Sequence, residues 1–358
     1  MKTFSNPFRN GASIAPPFKR VLLSKTTQLG DLVISLPMAA ALKKQDPHCT
    51  VILLTNRKTI DVAQYCPDVD EVYGEPATAE ERLALLRSLN IDIFIQVNTS
   101  REMATSAYEA QIPVRIGSLF RSYNLRRCTH LVALTRSCWG LNKRLLDLQY
   151  LRPLGVKIDD LQEVRDLYHL APPRLAGGSP SHPGHFSQGR RTVILSPALV
   201  TASAHQWPLE SYSRVIHSLD PDRFHWFVCG TPEDRENLQP LLDRHCDDAN
   251  VTDLVGKLTL TEFMSFMANC DGLIAGSTGP LHLAAALGIH TLGLFQSRQA
   301  DIRRWHPVGR STAVIHSNVQ CQGERRGAHG NHATRCPCIM AIEPEHVVRR
   351  VRAWFEQA

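Results

Sequence analysis

Four segments place residues that could do chemistry at the ends of extended runs. In Ser24-Lys-Thr-Thr-Gln-Leu-Gly-Asp31 a single glycine precedes a carboxylate. Gly30 permits a tight backbone approach, and Asp31 is expected at or near the start of a helix. A carboxylate there either accepts a backbone N–H as a cap or takes a proton from a substrate hydroxyl. In Ala275-Gly-Ser-Thr-Gly-Pro-Leu-His-Leu-Ala-Ala-Ala286 a small-residue turn opens a helix at Pro280. Proline in a first turn costs no hydrogen bond, so the N–H groups of Ser277, Thr278 and Gly279 can point at an anion such as phosphate. His282 falls in the same first turn, where it either faces the opening or packs between elements.

The third segment is the loop Leu195 to Leu209, in which Thr201, Ser203 and His205 supply donors and Trp207-Pro208 reads as structural. The fourth, Cys229-Gly-Thr-Pro-Glu-Asp234, turns at Gly230. Asp234 suits either a ribose hydroxyl or a helix cap. Neither glycine pattern matches a Walker A loop or a three-glycine dinucleotide fingerprint, which leaves kinase and dehydrogenase readings little support.

The elements that must hold these segments alternate. Runs Arg20–Ser24, Val51–Leu54, Ile91–Val97 and Val114–Ile116 read as strands. A helix is expected from the first turn through Lys44, with others at Glu80–Leu89 and Lys143–Leu154. Residues 171–191 are rich in proline and glycine and read as a linker. Alternation restarts with strands at Thr192–Leu195, Phe224–Cys229, Val251–Leu254, Gly272–Ala275 and Thr291–Phe295. The helices between them start at Leu209, Asp234, Leu260 and Pro280, and a last one runs Pro344–Phe355. Apolar runs without period-two alternation are what parallel strands covered on both faces require. The expected fold is α/β, with two doubly wound domains at 1–170 and 192–358 and a ligand crevice between the carboxyl ends of their strands. The last helix has the option of packing back on the first domain.

Composition bounds the function. The chain has 358 residues, enough for two cored domains, and 21 Gly with 22 Pro exclude collagen-like or disordered classes. The longest apolar stretch, Leu32–Leu42, is too short to span a bilayer, and the first twenty residues lack an apolar signal core. Ten scattered cysteines read as reduced thiols, so a cytoplasmic protein is expected. Cys321, Cys336 and Cys338, near His316, His329 and His332, have the spacing C-x14-C-x-C without a C-x2-C knuckle. They read as ordinary thiols, with no metal. Net charge is +6, but residues 112–152 hold eight basic residues against one acid, Asp147. That patch points to an anionic partner. No aromatic platform accompanies it, and nucleic acid is not expected.

Taken in order, the motifs Lys25–Pro37, Trp207-Pro208, Ser277–Ala286 and Cys338–Val347 make the chain resemble the family 9 glycosyltransferases, the ADP-heptose:lipopolysaccharide heptosyltransferases of Gram-negative bacteria. The resemblance runs from Val21 to about Val351. It implies a GT-B architecture, two Rossmann-like domains facing a central cleft, and inverting transfer of heptose from ADP-heptose without metal or cofactor. On that basis Asp31 is the general base. Thr201, Ser203, His205, Gly230, Asp234, Leu258, Ser277, Thr278, Gly279 and His282 bind the donor, with Asp234 on the ribose and Leu258 at the adenine. Lys25, Thr27, Asn98, Arg115 and Arg121 bind the acceptor, a lipid A–Kdo inner core rich in phosphates and carboxylates. Peripheral contact with the cytoplasmic face of the inner membrane is implied too. Two positions depart from the family: His205 stands where a lysine reaches the donor phosphates, and Ser277 where an aspartate precedes Thr-Gly. They leave open another donor sugar, a protein acceptor, or a sugar-nucleotide-binding chain without turnover.

Overall fold

The computed structural model describes residues 13–134, 140–172, 189–197, 206–321 and 336–356. The chain divides into two compact units, Met1–Ala171 and Pro172–Ala358.

In the first unit the order is β1 (Arg20–Lys25), α1 (Leu29–Ser35), α2 (Pro37–Gln45), β2 (Thr50–Thr55), α3 (Ile60–Gln64), β3 (Glu71–Gly74) and α4 (Ala79–Ser88). It continues with β4 (Ile93–Gln96), α5 (Arg101–Glu109), β5 (Val114–Ser118), α6 (Asn124–Arg127), β6 (His130–Val132), α7 (Lys143–Leu148) and α8 (Leu161–Arg165). The six strands form a parallel sheet in the order β3-β2-β1-β4-β5-β6. Val21–Leu23 and Val51–Leu54 are almost fully buried, as central strands covered on both faces must be. The single helix expected through Lys44 is instead two, because Pro37 lacks the N–H that would continue α1 and starts α2. The helix expected over 143–154 likewise ends at Leu148 and continues as a tighter 3₁₀ segment that contains Pro153.

The second unit runs β7 (Arg191–Ser196), α9 (Leu209–His217), β8 (Phe224–Val228), α10 (Arg235–Arg244), β9 (Val251–Asp253), α11 (Leu260–Ala268), β10 (Gly272–Gly276) and α12 (Gly279–Leu287). Then come β11 (His290–Leu294), α13 (Gln299–Trp305), β12 (Thr312–Ile315), α14 (Pro337–Met340) and α15 (Pro344–Ala353). Its strands are also parallel, ordered β12-β11-β10-β7-β8-β9. Val193, Leu195, Trp226, Val228, Ile274 and Leu292 form its core with Tyr212, Val215 and Ile216 of α9. Val347, Val348 and Val351 of α15 join the same core, so this last helix is seated in the second unit.

Both sheets reverse strand order once, at β1/β4 and at β7/β10. In open α/β sheets, ligands bind outside the carboxyl ends of the strands at such a reversal. Close backbone approach fixes the helix beside the second reversal. Gly288, at φ +83°, ends α12, and a Cβ on Gly309 would lie 2.2 Å from the carbonyl oxygen of Ala285 in that helix. A backbone oxygen cannot swing aside. Gly309→Ala is therefore expected to cost about 1–3 kcal/mol, seen as a lowered thermal midpoint. Gly140→Ala, whose added methyl meets nothing within 4 Å, should leave the midpoint in place.

Candidate active site

β1 is apolar from Val21 to Leu23 and buried through Ser24, so its last residue, Lys25, is carried into the interior: the side chain is only 2% exposed. A buried ammonium requires counter-charges. Asp147 of α7, itself buried, places Oδ2 3.2 Å from the Lys25 Nζ, and Asp31 Oδ1 lies 3.7 Å away. Lys143, one helical turn before Asp147, pairs with its other oxygen. Burial pulls the Lys25 ammonium down, but Asp147 and Asp31 outweigh it and hold the group above the ordinary lysine range. Burial likewise raises Asp147, and Lys143 and Lys25 overcome that and hold it below the ordinary carboxylate range. Lys143 is pulled below the lysine range by burial, which Asp147 offsets only in part.

Asp31 is the partly exposed member of this set, with 31% of its side chain open to solvent. It sits in the first turn of α1, but the cap position belongs to Gln28, whose side chain makes no cap hydrogen bond. The capping alternative for Asp31 is therefore replaced: a buried cation lies beneath its carboxylate, and the outer face is open to solvent. Asn98, at the end of β4, joins the two loops of the reversal, accepting from Thr26 N–H at 3.0 Å and donating to its hydroxyl at 3.3 Å. Thr27 lies in the same loop, and its hydroxyl is buried without a partner among the described residues.

The remaining cations expected to bind an acceptor do not gather there. Lys25 is committed to Asp147 and Asp31, and its burial keeps it from presenting charge outward. Arg115 donates from Nε to the carbonyl of Arg127 at 2.5 Å and from Nη1 to that of Ile112, lying over the Tyr108 ring. Its guanidinium braces backbone. Arg121 is exposed beyond the carboxyl end of β5.

In the second unit, Thr278 is the N-cap of α12 and no side chain caps its first turn. By contrast α4 and α11 begin with complete capping boxes, Thr78/Glu81 and Thr259/Glu262. The Thr278 N–H is already bonded to Gly276 O at 2.8 Å, so it is not among the donors offered to an anion, contrary to expectation. Ser277 is exposed, Gly279 is half-buried at the helix start, and His282 is buried at 3% exposure. Gly230 O accepts from Gly256 N–H at 2.9 Å, which ties the loop after β8 to the one carrying Leu258 after β9. Asp234 accepts the N–H and hydroxyl of Thr231 on Oδ2, at 2.8 and 2.9 Å. It caps, so only Oδ1 is left for a ribose hydroxyl. Thr201, Ser203 and His205 lie outside the described residues. Just after them, Trp207 donates its indole N–H to Ile342 O at 3.0 Å from a fully packed position, the structural role expected of it.

Leu258, Gly230 and the α12 start therefore follow the carboxyl edge in the order β9, β8, then β10 beyond β7. The sequence reading missed Asp147 and Lys143, which it treated as patch charges. Their i,i+4 spacing was the available signal.

A family model described as glycosyltransferase family 9 (heptosyltransferase) matches residues 85–332. Lipopolysaccharide heptosyltransferase 3 of Escherichia coli is 25% identical over 298 residues, covering 78% of this chain and 83% of that protein. Among solved structures, the E. coli ADP-heptose lipopolysaccharide heptosyltransferase II aligns with a TM-score of 0.74 at 19% identity, covering 95% of this chain and 99% of that one. The E. coli heptosyltransferase WaaC with ADP gives 0.69 at 16%, covering 94% and 99%. At these identities the structural likeness establishes the fold, two Rossmann-like units of the GT-B type.

Lys25 and Asp147 are shifted outward in opposite directions, so both stay charged between the ordinary values of 3.8 and 10.5. Their stabilisation is lost only as pH falls through the lowered carboxylate value or rises through the raised ammonium value. Asp147→Ala strands two ammoniums and should cost about 3–5 kcal/mol at pH 7. Burial depresses stranded lysines, so this penalty relative to the parent should shrink at pH 10, where they deprotonate. Urea unfolding at both pH values measures it.

Proposed function

That the chain belongs to glycosyltransferase family 9, the heptosyltransferases, is the premise from which we propose an inverting, metal-independent transfer of heptose from ADP-heptose to the phosphorylated inner core of lipopolysaccharide, a lipid A–Kdo acceptor. The observation that carries this reading is the half-exposed Asp31 carboxylate held over a buried ammonium at the carboxyl end of β1. Asp31 takes the proton of an acceptor hydroxyl as its oxygen attacks the anomeric carbon from the face opposite the diphosphate. The anomeric C–O bond breaks, ADP leaves with that electron pair, and the configuration inverts. The carboxylate need only be ionised and within hydrogen-bond reach of the acceptor hydroxyl.

The donor reading rests on the second unit. A base at Leu258, a ribose at Gly230 and Asp234, and a diphosphate at the α12 start follow one sheet edge. Three strand spacings of about 4.8 Å span roughly 14 Å. The first-turn N–H groups of α12 are fixed dipoles for the negative charge that grows on the leaving diphosphate. Exposed Arg121 and the basic stretch around it suit an anionic acceptor and an anionic inner-leaflet surface. No helix among the described residues is long and apolar enough to cross a membrane, which fits an enzyme working at the cytoplasmic face.

Asp31→Asn should reduce transfer about a hundredfold or more while ADP affinity, measured by titration calorimetry, stays unchanged. Full activity in that variant would remove Asp31 from the reaction, and ADP binding by the parent without transfer would make the chain a sugar-nucleotide-binding protein. His205→Lys should tighten ADP binding about tenfold at pH 8, where histidine is neutral and a lysine adds a charged hydrogen bond to phosphate. An unchanged affinity would place residue 205 away from the diphosphate.

A further inference from the structure

Away from the donor edge's polar residues, the chain brings three thiols to one point. Cys321 follows β12, Cys336 is the N-cap of α14, and Cys338 lies inside that helix. Their Sγ atoms all lie within 4.8 Å of one another, with Cys321–Cys336 at 3.8 Å and Cys336–Cys338 at 3.2 Å. Cys321 and Cys338 are buried, while Cys336 is half-buried on the solvent side.

We propose that Cys321, Cys336 and Cys338 bind one thiophilic divalent cation, zinc or ferrous iron, as three thiolates of a tetrahedral site. The reading does not depend on the assignment of the donor and acceptor residues. In a tetrahedral site with metal–sulfur bonds of about 2.3 Å, neighbouring sulfurs stand about 3.8 Å apart, the separation found between Cys321 and Cys336. A disulfide, with sulfurs about 2.05 Å apart, would join two of the three and leave the last thiol unused. A soft cation uses all three, and sulfur donors select such ions over magnesium or calcium. Binding releases the thiol protons to solvent and leaves the fourth position to water or one further side chain.

The scaffold around the thiols is already ordered. Ser317 donates its hydroxyl to the Cys338 carbonyl at 2.7 Å, and Ser297 donates to the Ser317 carbonyl at 2.6 Å. The N–H groups of Ile339 and Met340 close on the Cys336 carbonyl at 3.1 and 3.3 Å, which orients the first thiol of the Cys-Pro-Cys pair. The ion would join the exit of β12 to α14. Four residues beyond Cys338, Ile342 accepts the Trp207 indole N–H. A metal here would stiffen the carboxyl side of the second sheet and take no part in sugar transfer.

The test uses the full chain, made metal-free with chelator under reductant and titrated with Co(II). One equivalent should produce thiolate-to-cobalt charge-transfer bands and the strong visible bands of tetrahedral cobalt. Zinc should displace it. Cys336→Ser, at the half-buried position, should weaken cobalt binding at least tenfold while circular dichroism stays that of the parent. Cys246→Ser, at an exposed thiol outside the cluster, should bind as the parent does. Metal analysis of protein from zinc- and iron-supplemented cultures then distinguishes the two ions. No charge-transfer band in the parent, bands that survive Cys336→Ser, or a disulfide within the cluster in protein kept reduced would each overturn the proposal.

Discussion

The first unit is organised around a charge that its own hydrophobic pattern buries. β1 is apolar because it lies at the centre of a sheet covered on both faces, and that same run draws Lys25 inside. An ammonium out of water is tolerated only with close counter-charges, so α7 must bring Asp147 against it. This requirement joins residues 122 positions apart. It also sets the position of α7 against α1, and it holds Asp31 from below. The place of the catalytic candidate thus follows from the desolvation of its neighbour and owes nothing to a helix cap.

The second unit uses the same strand order for a different purpose. In each sheet the reversal leaves two adjacent carboxyl ends, but the segments that follow them carry different chemistry. The first offers a carboxylate backed by a cation, and the second an uncapped helix start after Ser277. A partly exposed carboxylate suits proton abstraction, while bare N–H groups suit an anion that gains charge. α4 and α11 close their own starts with reciprocal Thr–Glu boxes, whereas α12, like α9 and α10, begins without a side-chain cap.

Central strands are legible because runs of three or four consecutive apolar residues without period-two alternation suit strands covered on both faces. β3, β6 and β12 were not, since they are short and mostly half-buried and their pairing is decided by neighbours that local pattern does not show. Asp31 was legible from its turn, but what holds it was not. A lysine at a strand end reads as exposed, so Lys25 was placed on the acceptor; only the sheet shows that its neighbours close over it. Burial of His282 and the backbone carbonyls that hold Arg115 are likewise beyond what local pattern shows. The thiols illustrate a limit of spacing rules, which count residues along the chain while metal geometry is set by distance between sulfurs.

The cations on the donor edge bear on how a diphosphate would be held. Lys257 and Arg235, which flank the loop of Leu258, both pair with Asp253, at 3.0 and 2.7 Å. Arg298, after β11, pairs with Asp301 at 3.3 Å. Their charge is therefore partly neutralised before any ligand arrives. A helix start contributes the equivalent of about half a positive charge, so on the proposed reading the edge would hold a diphosphate by the direction of its dipoles more than by net charge. Such a grip strengthens as charge concentrates on the leaving oxygen, and fixed N–H groups need no reorganisation to meet it.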